Sequence, residues 1–223
     1  MMTRTAALLR TLRADASGLA FVEFALALPL VLGTVTAGIE LTYYTIAKMR
    51  MSQIALHIAD NGARIGTQNP LTSPQITEAN INDLLTGAGL QAGRLDLYTR
   101  GRVIISSLEP DPSYSGKYRI HWQRCKGTKN WTSSYGVQGD GNKTNMGPAG
   151  RQVTAPSDGG VIYVELNYDY KPIFFASVAP STVIREVAAM TIRDKRDYNG
   201  NSNTGVYSVV GVTASTCNLF TAT

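Results

Sequence analysis

A chain of 223 residues with 43% hydrophobic and 17% charged side chains can bury a sizeable core, and it has no polar low-complexity tract of the disordered kind. Arg4, Arg10 and Arg13 against Asp15 give residues 1–18 a net charge of +2; the other 205 residues carry 18 basic and 15 acidic groups, a net of only +3. That excess is too mild and scattered for a nucleic-acid surface, and two cysteines with two histidines argue against a zinc cluster.

After the basic stretch, Ser17-Gly18 leads into an apolar run that starts at Leu19 and continues to Ala47, interrupted by Glu23 and Glu40. Phe24 to Ile39 is 16 residues without a charge, about 24 Å of helix at 1.5 Å per residue. With Leu19–Val22 and Leu41–Ala47 on either side, the stretch is long enough to cross a bilayer core of roughly 30 Å. The three preceding arginines place the N-terminus in the cytoplasm and the rest of the chain outside; Lys48 and Arg50 weaken that bias without reversing it. A plain signal anchor is one reading. A cleavable signal peptide is another, since Val35-Thr36-Ala37 offers small residues for a cut before Gly38. Glu23 speaks against both, because a carboxylate at the bilayer centre costs about 2.5–3.5 kcal/mol and neither device gains from it.

Gly18, four apolar residues, Glu23 and Phe24 resemble the cleavage site of type IV prepilins. The longer run Gly18-Leu19-Ala20-Phe21-Val22-Glu23-Phe24-Ala25-Leu26-Ala27-Leu28-Pro29-Leu30 is similar to the signature of the TadE-like minor pilins, or pseudopilins, of tight-adherence (Tad/Flp) pili. That resemblance covers residues 17–44 and includes a proline inside the anchor and a second glutamate, here Glu40. It implies that a prepilin peptidase cuts between Gly18 and Leu19 on the cytoplasmic face, leaving Glu23 as the fifth mature residue. Glycine suits such a site because it lets the backbone extend into a protease cleft. The new amine at Leu19 would pair with Glu23, roughly 6 Å along the helix of a neighbouring subunit, and so set the register of a filament built through the Glu23 and Phe24 region. Leu19 departs from the phenylalanine common in ordinary type IV pilins, so N-methylation is not carried over. The partners implied are the prepilin peptidase, the major pilin and other minor pilins, the membrane platform of the pilus machine and cytoplasmic-membrane lipid. The implied location is the bacterial cytoplasmic membrane, head outside, and then the pilus or cell surface.

Pro29 removes a backbone donor, so a kink or weak point is expected near Ala25, with simple tolerance of proline in membrane helices as the alternative. Glu40 lies 17 residues beyond Glu23, about 25 Å up the helix, where solvation among outer headgroups beside Tyr43 and Tyr44 is expected. Met51, Ile54, Ala55, Ile58, Gly62 and Ile65 then form one helical stripe, with Gly66 and Pro70 as the stop. A helix from Leu19 to Ile65 would be about 70 Å long. His57 falls off the stripe and reads as a surface residue.

Ser73-Pro74 looks like the start of a short helix with Ile76, Ile81, Leu84 and Leu85 on its apolar face and Gly87 to Gly93 as its end. Strands are expected within Leu95–Leu108, Tyr118–Trp122 and Val161–Tyr170, and at Val183–Ile192, which could instead be helical. Turn residues such as Pro110-Asp111-Pro112-Ser113 separate them, which predicts an antiparallel sheet with hairpin-like connections against the helix. Between Tyr135 and Gly160 lie seven glycines and no apolar period. Gly141-Asn142-Lys143-Thr144 matches a Walker loop only superficially, and Asp140, Asn142 and Thr144 alternate like calcium ligands without the EF-hand glycine and glutamate. The segment reads as a solvent-facing loop at the periphery, or as a contact surface for another minor pilin.

Cys125 and Cys217 both fall outside the cytoplasm in this topology, where disulfides form. Their bridge would close a loop of roughly 90 residues, worth about 4–5 kcal/mol in the chain-entropy model; two unpaired thiols are the alternative. Asp169, Glu165, Asp194 and Asp197 read as a solvated face. No catalytic residue, cofactor or metal is assigned, and the chain reads as a peptidase substrate. The fold expected is α+β: a leader over residues 1–18, a transmembrane and filament-packing helix over 19–47, and a pilin-like head over 48–223 with an antiparallel sheet and a Gly-rich loop at 136–160. A secreted or membrane-tethered binding domain with no pilus role is the alternative.

Overall fold

A long apolar run followed by a stripe of helical period reads as a helix, and the chain forms one from Ser17 to Gly62 (α1, 46 residues). The computed structural model describes residues 17–66, 73–174 and 176–222; Pro70 and the arginines of the basic stretch lie outside them. By length and composition α1 can cross a membrane. It continues through Pro29 as one helix, as membrane helices tolerate proline. Gly18 lies in the first helical turn and does not interrupt the helix, since that turn has no partner for its N–H groups in any case.

The chain divides into two compact units. One holds the helix as far as Tyr44 together with Pro172–Pro180. The other, the head, holds Thr45–Lys171 and Ser181–Thr223. In the head, Met51, Ile54, Ala55 and Ile58 are buried as the stripe predicts, Ile65 is half-buried, and His57 is exposed and hydrogen-bonded to Gln91 at 3.1 Å. α1 stops at Gly62, not Gly66: a side chain there would press on Ile162 at 3.1 Å, and Arg196 draws off the carbonyls of Gly62 (3.3 Å) and Ile65 (2.7 Å).

The second helix, α2, spans Glu78–Ala92. Its cap is Thr77, whose hydroxyl accepts from the Asn80 N–H at 3.2 Å while the Asn80 side chain accepts from the Thr77 N–H at 3.1 Å. The Ser73-Pro74 start is thus corrected: this stretch runs extended, with Gln75 and Thr77 bridging to Asp197 and Tyr207. Gly87 and Gly89 are interior to α2, and the helix ends at Gly93. Tyr98 explains Gly89, because its ring would lie 2.7 Å from a Cβ at that position. Leu95–Arg100 forms a 3₁₀ turn and a helical turn rather than strand, with Leu97 and Tyr98 buried.

Four strands follow: β1 (Gly101–Pro110), β2 (Tyr118–Lys126), β3 (Val161–Asp169) and β4 (Val183–Thr191). The sheet is antiparallel in the order β2-β1-β3-β4, which settles Val183–Thr191 as strand. The fold is therefore α+β, a long apolar N-terminal helix followed by a four-stranded antiparallel sheet with helices. Ile162, Val164 and Leu166 alternate with Tyr163, Glu165 and Asn167 along β3, yet all six are buried, so both faces of the sheet are covered. The second cover is the segment between β2 and β3. Met146 and Ala155 are buried with Leu108, Ile120, Val161 and Tyr163, and Tyr135 and Val153 pack against them. The expectation of a peripheral, solvent-facing loop holds for most of 136–160, whose residues are exposed or half-buried, but Met146, Ala155 and Gly160 are buried and anchor the segment to the sheet without a helix or strand.

Candidate functional site

Within the first unit, the side chains of α1 are arrayed outward. Leu19 and Phe24 are each 60% exposed, and Phe21, Leu26, Leu30, Val31 and Val35 are also exposed. Glu23 is exposed among them, five residues past Gly18, and Gly18 has open space where a side chain would be. The polar groups that could spoil this surface are turned inward: the Thr34, Thr36 and Thr42 hydroxyls donate to the carbonyls of Val31, Leu32 and Gly38 at 2.8–2.9 Å. Such back-bonding is how hydroxyls are accommodated in an apolar medium. An uncovered apolar helix face of this extent needs lipid or other helices as its cover.

Glu40 departs from expectation. Its side chain is fully buried, not solvated, and one carboxylate oxygen accepts from the backbone N–H groups of Ile173 (2.8 Å) and Phe174 (2.9 Å). Two successive backbone donors converging on one oxygen form a small anion-binding concavity. The carboxylate thereby fixes the segment Pro172–Pro180 to the helix, while Ile173 (51%) and Phe174 (46%) expose their side chains.

In the head, Cys125 on β2 and Cys217 in the C-terminal tail are joined by a disulfide across 92 residues of sequence. A second clamp, which sequence reasoning missed, lies beside it. Arg102 on β1 is buried, with its guanidinium donating to the carbonyls of Gly127 (2.9 Å), Leu219 (3.1 Å) and Cys217 (2.6 Å) and lying 4.2 Å from the centre of the Phe220 ring. Burial pushes its pKa below the usual arginine value. The tail is also hydrogen-bonded to β2 and the residue just after it, Cys125 N–H donating to Ser215 at 2.8 Å and Gly127 N–H to Thr221 at 2.9 Å. The buried Glu78–Arg124 ion pair, with an Nε–Oε2 distance of 2.9 Å, ties the start of α2 to β2.

The four acids expected on a solvated face take different tasks, and Glu165 is buried rather than solvated. Glu165 accepts from the Ser133 hydroxyl and the Ser134 N–H, Asp169 pairs with Lys129 at 2.6 Å, Asp197 accepts from the Tyr207 hydroxyl, and the Asp194 carbonyl accepts from the Arg196 N–H. Burial raises the Glu165 pKa above the usual carboxylate value, and the Ser133 and Ser134 bonds partly oppose it. In the glycine-rich segment the Asp140 carboxylate caps Val137 N–H at 2.9 Å and Asn142 N–H donates to Asp111, so these groups stabilise turns. Among the described residues, no three His, Cys, Asp or Glu side chains converge as metal ligands.

Comparison of the chain with protein-family models, curated proteins and solved structures finds no match.

Proposed function

We propose that this chain is a membrane-anchored minor pilin of the tight-adherence type, cut by a prepilin peptidase between Gly18 and Leu19 and used to initiate, cap or regulate a pilus that adheres to surfaces. The observation that carries this reading is Glu23: a single carboxylate five residues past Gly18, exposed on a helix face that is otherwise apolar. Lipid makes that charge costly, and a freshly cut Leu19 amine on an adjacent subunit would neutralise it. In this account the head stands outside the cytoplasmic membrane, which agrees with a disulfide between Cys125 and Cys217. The exposed apolar face of residues 19–39 would pack against the major pilin and other minor pilins after leaving the bilayer.

Exchanging Glu23 for alanine tests the reading. Membrane insertion should persist, since the change makes the helix more apolar, while pilus formation should fall. Normal piliation by the variant would refute the role of Glu23. A bulky residue at Gly18 should leave an unprocessed precursor, and processing that continues unchanged would refute the cut.

A further inference from the structure

The segment Pro172–Pro180 joins β3 to β4, and the sequence Pro-Ile-Phe-Phe-Ala-Ser-Val-Ala-Pro contains no charged residue. A hairpin connection exposed to water would ordinarily be rich in Gly, Asn, Asp and Ser. This one instead presents Ile173 and Phe174 at half exposure, which is costly in water unless something apolar covers them. It is also not free to move away: Ile173 and Phe174 give their N–H groups to the buried Glu40 carboxylate of α1.

The place of Glu40 along α1 identifies what covers the segment. Glu40 immediately follows the uncharged run Phe24–Ile39, and Tyr43 and Tyr44 follow it. If that run occupies the hydrocarbon, Glu40 stands at its outer boundary, the level at which aromatic side chains collect. A bare carboxylate at that depth would be poorly solvated. Two backbone amides replace its water, and the same bonds hold two large apolar side chains at the acyl–headgroup boundary.

We infer that Pro172–Pro180 is a second membrane contact of this protein, an apolar loop that Glu40 fastens to the membrane helix so that Ile173 and Phe174 insert into the outer leaflet. The occupant of this surface is phospholipid. The inference rests on α1 spanning a bilayer and not on the chain being a pilin.

A photo-crosslinking amino acid at position 174 tests it, with the full chain in nanodiscs of phosphatidylethanolamine and phosphatidylglycerol and the adducts weighed by mass spectrometry. The same probe at Leu30, exposed in the middle of the apolar run, reports whether α1 spans. Phospholipid adducts at both positions are the expected result, and Glu40→Ala should lower the yield at position 174 several-fold while leaving that at position 30 unchanged. An adduct at position 30 with none at 174 overturns the loop contact alone. A crosslinked dimer at 174 overturns it in favour of a second copy of the chain, and no lipid at position 30 removes the premise. A yield at 174 indifferent to Glu40→Ala refutes the fastening role of that carboxylate.

Discussion

Replacing Arg102 by methionine keeps an unbranched apolar stem and removes the guanidinium with its charge. Three carbonyls, of Gly127, Cys217 and Leu219, then lose their donor inside the head. Bonds to a charged donor contribute roughly 1.5–3 kcal/mol each, and the guanidinium over Phe220 adds about 1 kcal/mol. Against this stands the relief of no longer burying a cation, which burial itself already disfavours as the lowered pKa indicates. A net loss of about 3 kcal/mol is expected, or a fall of roughly 6–12 °C in Tm for a domain of this size. Trp122 and Trp131 lie in the head, so their fluorescence during thermal unfolding of the full chain in detergent reports the transition. With the disulfide intact the tail stays tethered; with reductant added, the variant should lose residues 205–222 to limited proteolysis while the reduced wild type keeps them. A Tm within about 2 °C of wild type, or a tail equally protected in both reduced proteins, would refute the clamp.

Two further outcomes follow from the head. Gly89→Ala would ordinarily favour a helix by about 1 kcal/mol, but a Cβ 2.7 Å from the Tyr98 ring must displace a side chain whose hydroxyl donates to Leu85, so denaturant titration should show a loss of about 1–3 kcal/mol instead. His121 is buried, which lowers its pKa, yet the hydrogen bond and charge of Glu109 and the Asn203 carbonyl outweigh that effect and Arg119, leaving the value above the ordinary histidine one. Its contribution to stability is thus full below about pH 6.5 and is lost as pH rises through the higher folded value. The stability difference between wild type and His121→Asn, measured by denaturant titration from pH 5 to 9, should narrow with rising pH, and a widening difference would contradict the assignment.

The elements that could be read from sequence are those where one side-chain period dominates. The stripe from Met51 to Ile58 and the β-branched run of Val161–Asp169 carry their structure locally. The disulfide needed only two cysteines and a compartment. What escaped was set by distant partners. Glu40 meets Ile173 and Phe174 from 133 and 134 residues away, and Arg102 meets Cys217 across 115. Nothing near either residue signals such a partner, although the uncharged Pro172–Pro180 connection was an available clue. The cover formed by Met146, Val153 and Ala155 has no period because it has no regular backbone. Ser73-Pro74 offers a helix start of the same local kind as Thr77, and the Asn80 capping box with the bridge of Thr77 to Tyr207 decides between them. Gly87 and Gly89 mimic a helix end, while the close approach of Tyr98 gives Gly89 a packing reason to be interior.

The most direct test is the first residue of the mature protein, read by mass spectrometry from material exported by living cells. Leucine, from a cut after Gly18, is the expected first residue. Met1 at the terminus of protein incorporated into normal fibres would contradict it, as would Gly38 at the start of a released head.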